Sequence, residues 1–553
     1  MRHIAAAVVL ALAAGQAGAA APASHPLASP DQMRATVKML SSTPFEGRSP
    51  GTPGEERTVD YLVQRLKTMG LQPGGPDGSW TQQVPMIRTQ IGDGTIAIKQ
   101  ADGKAMPLVQ GTDINLTTVR ADPRVAIPDA PIVFVGYGVD APEAHWDDFK
   151  GADLHGKVVV FLVNDPDFAA IKGEDAFGRF GGKRMTYYGR WTYKFEEAAR
   201  QGAIAALVIH DTDAAGYGWQ TVSASEGENY ALASEAGTPP VPLQGWIRHD
   251  VADHLFTAAG LNLDDLRKQA RSASFRPVTL KGPSFEATLP VTVKHIQSRN
   301  VLARLPGKTH AAETVMFGAH WDAYGLGTPD AQGRTMRPGA NDDGLGVAGV
   351  LELARMFKAT PRTDRSLVFA LWTGEERGLL GSEYYAEHPV WPLAKTAADL
   401  TMDILQTAGP ARNVVEVGKG NSSLDQYLEA AAKTQGRVVV PETFTEKGLF
   451  YRADHFSVVR KGVPSLLLMA LGGAPDLKQG GLKAGQTWLD GYMKCYHQTC
   501  DTLDPDWDLR GAAQDVDLFY DIGLKLANSR AWPTWNARSE FKRIRAASAD
   551  QRK

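Results

Sequence analysis

In the C-terminal half of the chain, four largely apolar runs at 315–319, 367–372, 400–405 and 464–470 alternate with helical patterns at 345–357, 424–434 and 517–526. Runs that short and that apolar read as strands covered on both faces, because a half-exposed strand would show polar residues at every second position. From Ser298 onward the chain is therefore predicted to form an α/β unit, a mixed central sheet with helices on both faces.

Other segments have a different texture. Ser29-Pro30-Asp31 marks a helix start running to Leu40, and Val59, Leu62, Val63, Leu66 and Met69 fall at helical spacing before Gly70, which suits a left-handed cap. Residues 90–116 look like short strands. Buried strands at 131–138, 157–163 and 204–210, with a helix at 195–201, predict a separate β-rich unit with few catalytic clusters of its own. With 553 residues the chain is long enough for about three to four domain-sized units, or for one large domain with an insertion. The expected division is an export signal at 1–19, the N-terminal part of the catalytic domain at 26–125, an insert at 126–281 and the main catalytic part at 282–545.

The export signal is read from Arg2 and His3, an apolar run at 4–14 and the small residues Ala17-Gly18-Ala19. The run falls short of the ~20 apolar residues that cross a bilayer, so cleavage and a secreted or periplasmic protein with no membrane anchor are expected. In that setting Cys495 and Cys500, the two cysteines, are permitted to form a disulfide. Lys plus Arg number 59 against 62 Asp plus Glu, a net charge of −3, which removes the electrostatic basis for nucleic-acid binding.

Candidate chemistry lies just beyond the predicted strand ends, where open α/β sheets place their sites. Gly318-Ala319-His320-Trp321-Asp322 puts an acid two residues from a histidine, on the same side of an extended chain, where it can orient the ring. Alone, that pair fits a structural histidine better than a ligand. Asn341-Asp342-Asp343-Gly344 precedes a helix, where one acid is explained as a cap and two less easily. Glu375 and Glu376 end a hydrophobic strand, so both can ionise only with opposing charge nearby, from Arg377 or from a metal. Asp403 sits in an apolar strand, and His497 has Asp501 close by in sequence.

These residues satisfy a coordination count. With Asp342 bridging two cations, His320 and Asp403 complete one and Glu376 and His497 the other, leaving an open position on each for a shared water. Nitrogen and carboxylate donors suit two Zn²⁺ and tolerate Co²⁺ or Mn²⁺. Glu375 is then left over beside that water as a general base, with Asp322 the catalytic supporting acid.

The order His320-x-Asp322, Asp342-Asp343, Glu375-Glu376, Asp403, His497 resembles the co-catalytic di-zinc exopeptidase family that includes bacterial secreted leucyl aminopeptidases and glutamate carboxypeptidase II. The segment around Gly47-Arg48 and the stretch Asn300-Val301 with Leu305-Pro306-Gly307 are similar to it as well. The resemblance implies a zinc-exopeptidase, phosphorylase/hydrolase-like fold, a protease-associated domain as the β-rich insert, Asp342 as the metal bridge, Glu375 as the base and a cis Asp342–Asp343 peptide. Phe450, Tyr451 and Asp454 resemble its segment beside the substrate pocket. Thr401 stands where an Asn is frequent, and the cysteine pair lies beside His497, away from the position of some relatives' disulfide.

The expected function is an exported zinc aminopeptidase acting on peptides through a hydroxide shared by the metals. A carboxypeptidase would need a cation near the pocket, and Arg190, Lys447 and Arg452 are available. A glutaminyl-cyclase-like transferase, which uses one zinc, and a non-catalytic receptor both fit the complete ligand set less well.

Overall fold

A single strand, Val278–Leu305, runs through both halves of the molecule and explains how they are joined. The computed structural model describes residues 26–225, 227–233, 239–537 and 539–552, so the expected export leader lies outside the described residues. The first half of the long strand pairs with Thr95–Lys99 and Arg124–Phe134; the second half pairs with Thr81–Ile91 and then Arg365–Trp372. Beyond Arg365–Trp372 the catalytic sheet continues in parallel through His310–His320, Thr396–Met402 and Ser465–Leu468. The chain is thus an α/β protein with a mixed sheet.

Alternation along the strands decides which helices cover which face. Val315, Phe317, Leu367, Phe369 and Leu371 join one core with the helices Pro30–Leu40, Gly344–Lys358 and Arg510–Ala527. The residues between them, Met316, Val368, Ala370 and Trp372, point the other way, against Tyr385 of Leu380–Glu387 and Val458 of His455–Val459. Both faces are dry, which is why these strands read as unbroken apolar runs. Among the described residues, no helix is long and apolar enough to cross a membrane.

The second sheet is built from Val158–Leu162, Ala205–His210 and Leu243–Arg248 in parallel, with Ile114–Thr117 antiparallel at its edge. Thr95–Lys99 and Ile114–Thr117 pair with strands of this sheet although they precede the boundary expected at 126. Local hydrophobic pattern marks a strand but carries no record of its partner. One strand breaks the division in the opposite sense: Glu228–Leu232 leaves the inserted unit and pairs with Thr81–Ile91 in the catalytic sheet.

Candidate metal centre

The strand His310–His320 ends on its histidine, with the imidazole 1% exposed. Its Nε2 faces Asp342 Oδ1 at 3.2 Å, Glu375 Oε2 at 3.8 Å and Asp403 Oδ1 at 3.9 Å. The other oxygen of Asp342 lies 3.2 Å from His497 Nε2, which is also 3.2 Å from Glu376 Oε2. One carboxylate therefore stands between two imidazoles, one to each oxygen. Asp403 comes from the turn immediately after Thr396–Met402, one residue beyond the strand in which it was expected, and Ile404 there has a positive φ of 56°.

The paired aspartates divide their work. The Asp343 carboxylate accepts from the amides of Gly346 at 2.9 Å, His320 at 3.2 Å and Ile404 at 3.3 Å, so it caps the helix Gly344–Lys358 and ties three segments of the site together. A side chain at position 346 would collide with that carboxylate, which accounts for glycine there. Asp342 is left free to point into the centre, and the peptide between the two is cis. His320, Asp343 and Asp403 also lie close enough to share an ion. We favour Asp342 over Asp343 for that role, because three amides already occupy the Asp343 oxygens.

Supporting contacts differ from the sequence reading in two places. The nearest Asp322 atom to His320 Nδ1 is its main-chain carbonyl at 3.1 Å; its carboxylate is 3.6 Å away and accepts from the Glu375 amide at 3.1 Å. Asp501, expected beside His497, instead accepts from the amides of Asn341 and Asp342 at 3.0 Å each, so it steadies Asp342. Sequence reasoning also missed Arg48. Fully buried, it donates to the carbonyls of Leu40, Trp321, Pro338 and Gly339, binding the His320 loop to the Asp342 loop. A buried arginine amid turn residues gave a signal only through Gly47-Arg48.

Electrostatics set the chemical character. Burial pushes the Glu375, Glu376 and Asp403 carboxyls above the ordinary carboxylate range. At Asp342 burial acts the same way, but the two imidazoles facing its oxygens outweigh it and hold this acid below that range. Burial would lower the His320 imidazole; Glu375 and the other acids facing it win and push it well above its usual value. His320 Nε2, Asp342 Oδ2 and Asp403 Oδ1 are buried with no hydrogen-bond partner among the described residues. Polar atoms left that way are costly unless a ligand engages them, and six acids around two imidazoles leave negative charge that cations would offset. The donor set thus fits a pair of borderline divalent cations such as zinc.

Of the residues expected at the substrate pocket, Asp454 is buried and accepts from Ser382 Oγ at 2.6 Å. Phe450 packs over Gly418, and Tyr451 packs on Tyr187 and Phe456 while its hydroxyl donates to Glu540. Tyr187 lies in the aromatic stretch 185–191; nearby Met185 donates its amide to Thr445 O at 3.0 Å, so this stretch docks on the segment that precedes Phe450. Cys495 and Cys500 are disulfide-bonded, with 5.1 Å between their Cα atoms.

Histidines and acids gathered at the ends of parallel strands are the layout of a metal-dependent hydrolase. Residues 300–520, which carry all of them, match the profile of Peptidase family M28. It is 25% identical over 477 residues to a probable lipoprotein aminopeptidase, LpqL, of Mycobacterium tuberculosis, covering 83% of this chain and 76% of that one. It is 27% identical over 314 residues to leupeptin-inactivating enzyme 1 of Streptomyces exfoliatus, covering 55% and 65%. The fold is similar to that of an aminopeptidase from Aneurinibacillus sp. strain AM-1, with a TM-score of 0.50 and 22% identity over 90% of this chain and 94% of the other.

Proposed function

We propose that this protein is an exported zinc exopeptidase, an aminopeptidase that releases N-terminal residues from peptides. The observation that carries the reading is the Asp342 carboxylate, with each oxygen 3.2 Å from a different imidazole. In this reading His320, Asp342 and Asp403 hold one cation, and Asp342, Glu376 and His497 hold the other. Bound there, the metals supply Lewis-acid polarisation of the scissile carbonyl and acidify a water at neutral pH. Glu375, buried and raised in pKa, takes the proton of the attacking water and returns it to the leaving amine. Asp322 fixes the base through the Glu375 amide and the ring of His320 through its carbonyl. The acid cluster attracts the substrate's free α-ammonium group. The apolar leader supports export, and the inserted unit serves as a protease-associated domain.

One observation favours a second reading. Arg190 of the inserted unit is 9% exposed, its Nε has no hydrogen-bond partner, and neither it nor Arg452 has an acid within salt-bridge distance among the described residues. Arg452 donates to Tyr496 Oη at 3.2 Å, and Lys447 packs on the Phe444 ring. A buried guanidinium without a counter-ion, Arg190, beside a half-buried one, Arg452, suits a substrate carboxylate, as in a carboxypeptidase.

Metal analysis of the purified protein, with hydrolysis of aminoacyl p-nitroanilides against N-blocked dipeptides, separates these readings. About two metals per chain and cleavage of only the free-amine substrates is the expected result. Cleavage confined to N-blocked dipeptides favours the carboxypeptidase; a protein without metal or peptidase activity removes both.

A further inference from the structure

The two imidazoles of the centre are held by different means. His320 is fully buried and has Asp322 at its second nitrogen, the usual way of aiming a ligand ring. His497 is 27% exposed, its backbone is left-handed with φ 62°, and among the described residues its Nδ1 makes no hydrogen bond. Some other contact must fix the ring if Nε2 is to stay aimed at Asp342 and Glu376.

Rings supply that contact. The imidazole packs against Tyr496, centroids 3.6 Å apart, and against Tyr324 at 4.6 Å. Tyr324 is in turn covered by the Arg377 guanidinium, 5.0 Å from its ring centroid, and the same guanidinium lies 4.8 Å from the centroid of Tyr230. Arg377 adjoins Glu376, so the cation that touches both tyrosines also anchors the turn bearing the other ligand of this half. Its Nη1 is 3.6 Å from Glu228 Oε1, and Glu228 is bonded to Arg88. Tyr230 and Glu228 both lie on Glu228–Leu232, the strand that the inserted part of the sequence returns to the catalytic sheet.

We propose that Arg377, clamped between Tyr230 and Tyr324, is the positioning residue of the Asp342–Glu376–His497 half of the centre. Through it a strand from the inserted segment sets how tightly that half holds its cation. The inference rests on the di-metal reading above. A desolvated cation over an aromatic face is a directional contact, so the column resists rotation of Tyr324 and, through it, of His497. The Asp322-supported half does not depend on it. Losing supports of this kind typically weakens metal affinity by about 10- to 100-fold.

The test loads wild type, Arg377→Met, Tyr324→Leu, Tyr230→Leu, Tyr324→Phe and Arg377→Lys with zinc, dialyses them against graded chelator, and counts metal per chain. Unfolding of each metal-free protein in urea provides the control for folding, and three disruptive variants protect against the failure of one. The expected result is two metals in wild type and loss of one of them at about 10- to 100-fold lower chelator concentration in the disruptive variants. Tyr324→Phe keeps the ring and Arg377→Lys keeps the cation, so both should retain metal close to wild type. Wild-type retention of both metals in the folded Arg377→Met, Tyr324→Leu and Tyr230→Leu proteins would overturn the proposal while leaving the di-metal reading intact. A wild type that binds no metal would instead overturn that reading and this inference with it.

Discussion

Replacing Arg48 by methionine should cost about 3 kcal/mol of stability. Its guanidinium donates to four carbonyls at 2.6 to 3.0 Å, in a site that excludes water. Gly339 keeps the Gly344 amide as a donor, but each of the other three carbonyls, left without one in such a place, costs about 1 kcal/mol or more, so they give about 3 kcal/mol. Burial of the arginine works against this, since it lowers the guanidinium pKa, while Asp322, Asp501, Asp343 and Asp342 favour the charge. The backbone contribution cancels: position 48 has φ 52°, and arginine and methionine meet the same Cβ penalty there. Lysine retains the charge but lacks the planar fork, and should lose about half as much. Urea unfolding of the three metal-free proteins, read by tryptophan fluorescence, measures the difference. Arg48→Met unfolding within about 1 kcal/mol of wild type would refute the argument, because three stranded carbonyls cannot be that cheap.

Glu375→Ala should leave the metal count and unfolding midpoint near wild type while turnover falls about 10²- to 10⁴-fold; unchanged turnover removes the base. His455 is buried and its imidazole is pushed down to about 3, chiefly by desolvation. A depressed folded pKa means its contribution is present above the unfolded value and is lost as pH falls towards 3. Wild type should therefore lose about 2 kcal/mol more between pH 7 and pH 5 than His455→Leu does; parallel urea curves for the two proteins would contradict this. Reducing the Cys495–Cys500 bridge opens only a short loop and should cost about 2 kcal/mol at most in the chain-entropy picture. A larger drop in midpoint with dithiothreitol would mean that the bridge does more than close that loop.

Secondary structure in the catalytic half was legible because its patterns are local. The strand at 367–372 and the helices at 345–357 and 424–434 appear within a few residues of where apolar period and capping place them. The extent of the inserted unit was not, because the strands at 95–99 and 114–117 are defined by partners more than a hundred residues away. Asp501 shows the same limit within the site. Its proximity to His497 in sequence suggested a histidine support, yet the chain turns it towards the Asn341 and Asp342 amides.

The sequence by itself determined which side chains could do chemistry here, because histidines and acids at the ends of apolar strands are chemically conspicuous and locally placed. Only the tertiary structure decided how they are shared: which oxygen of Asp342 faces which imidazole, that Asp343 serves the helix, and that Arg48, Arg377 and Tyr230 reach the centre from distant segments. The physical reason is that periodicity and capping act over one or two turns of chain, whereas these contacts follow from how the sheet brings remote loops to one edge.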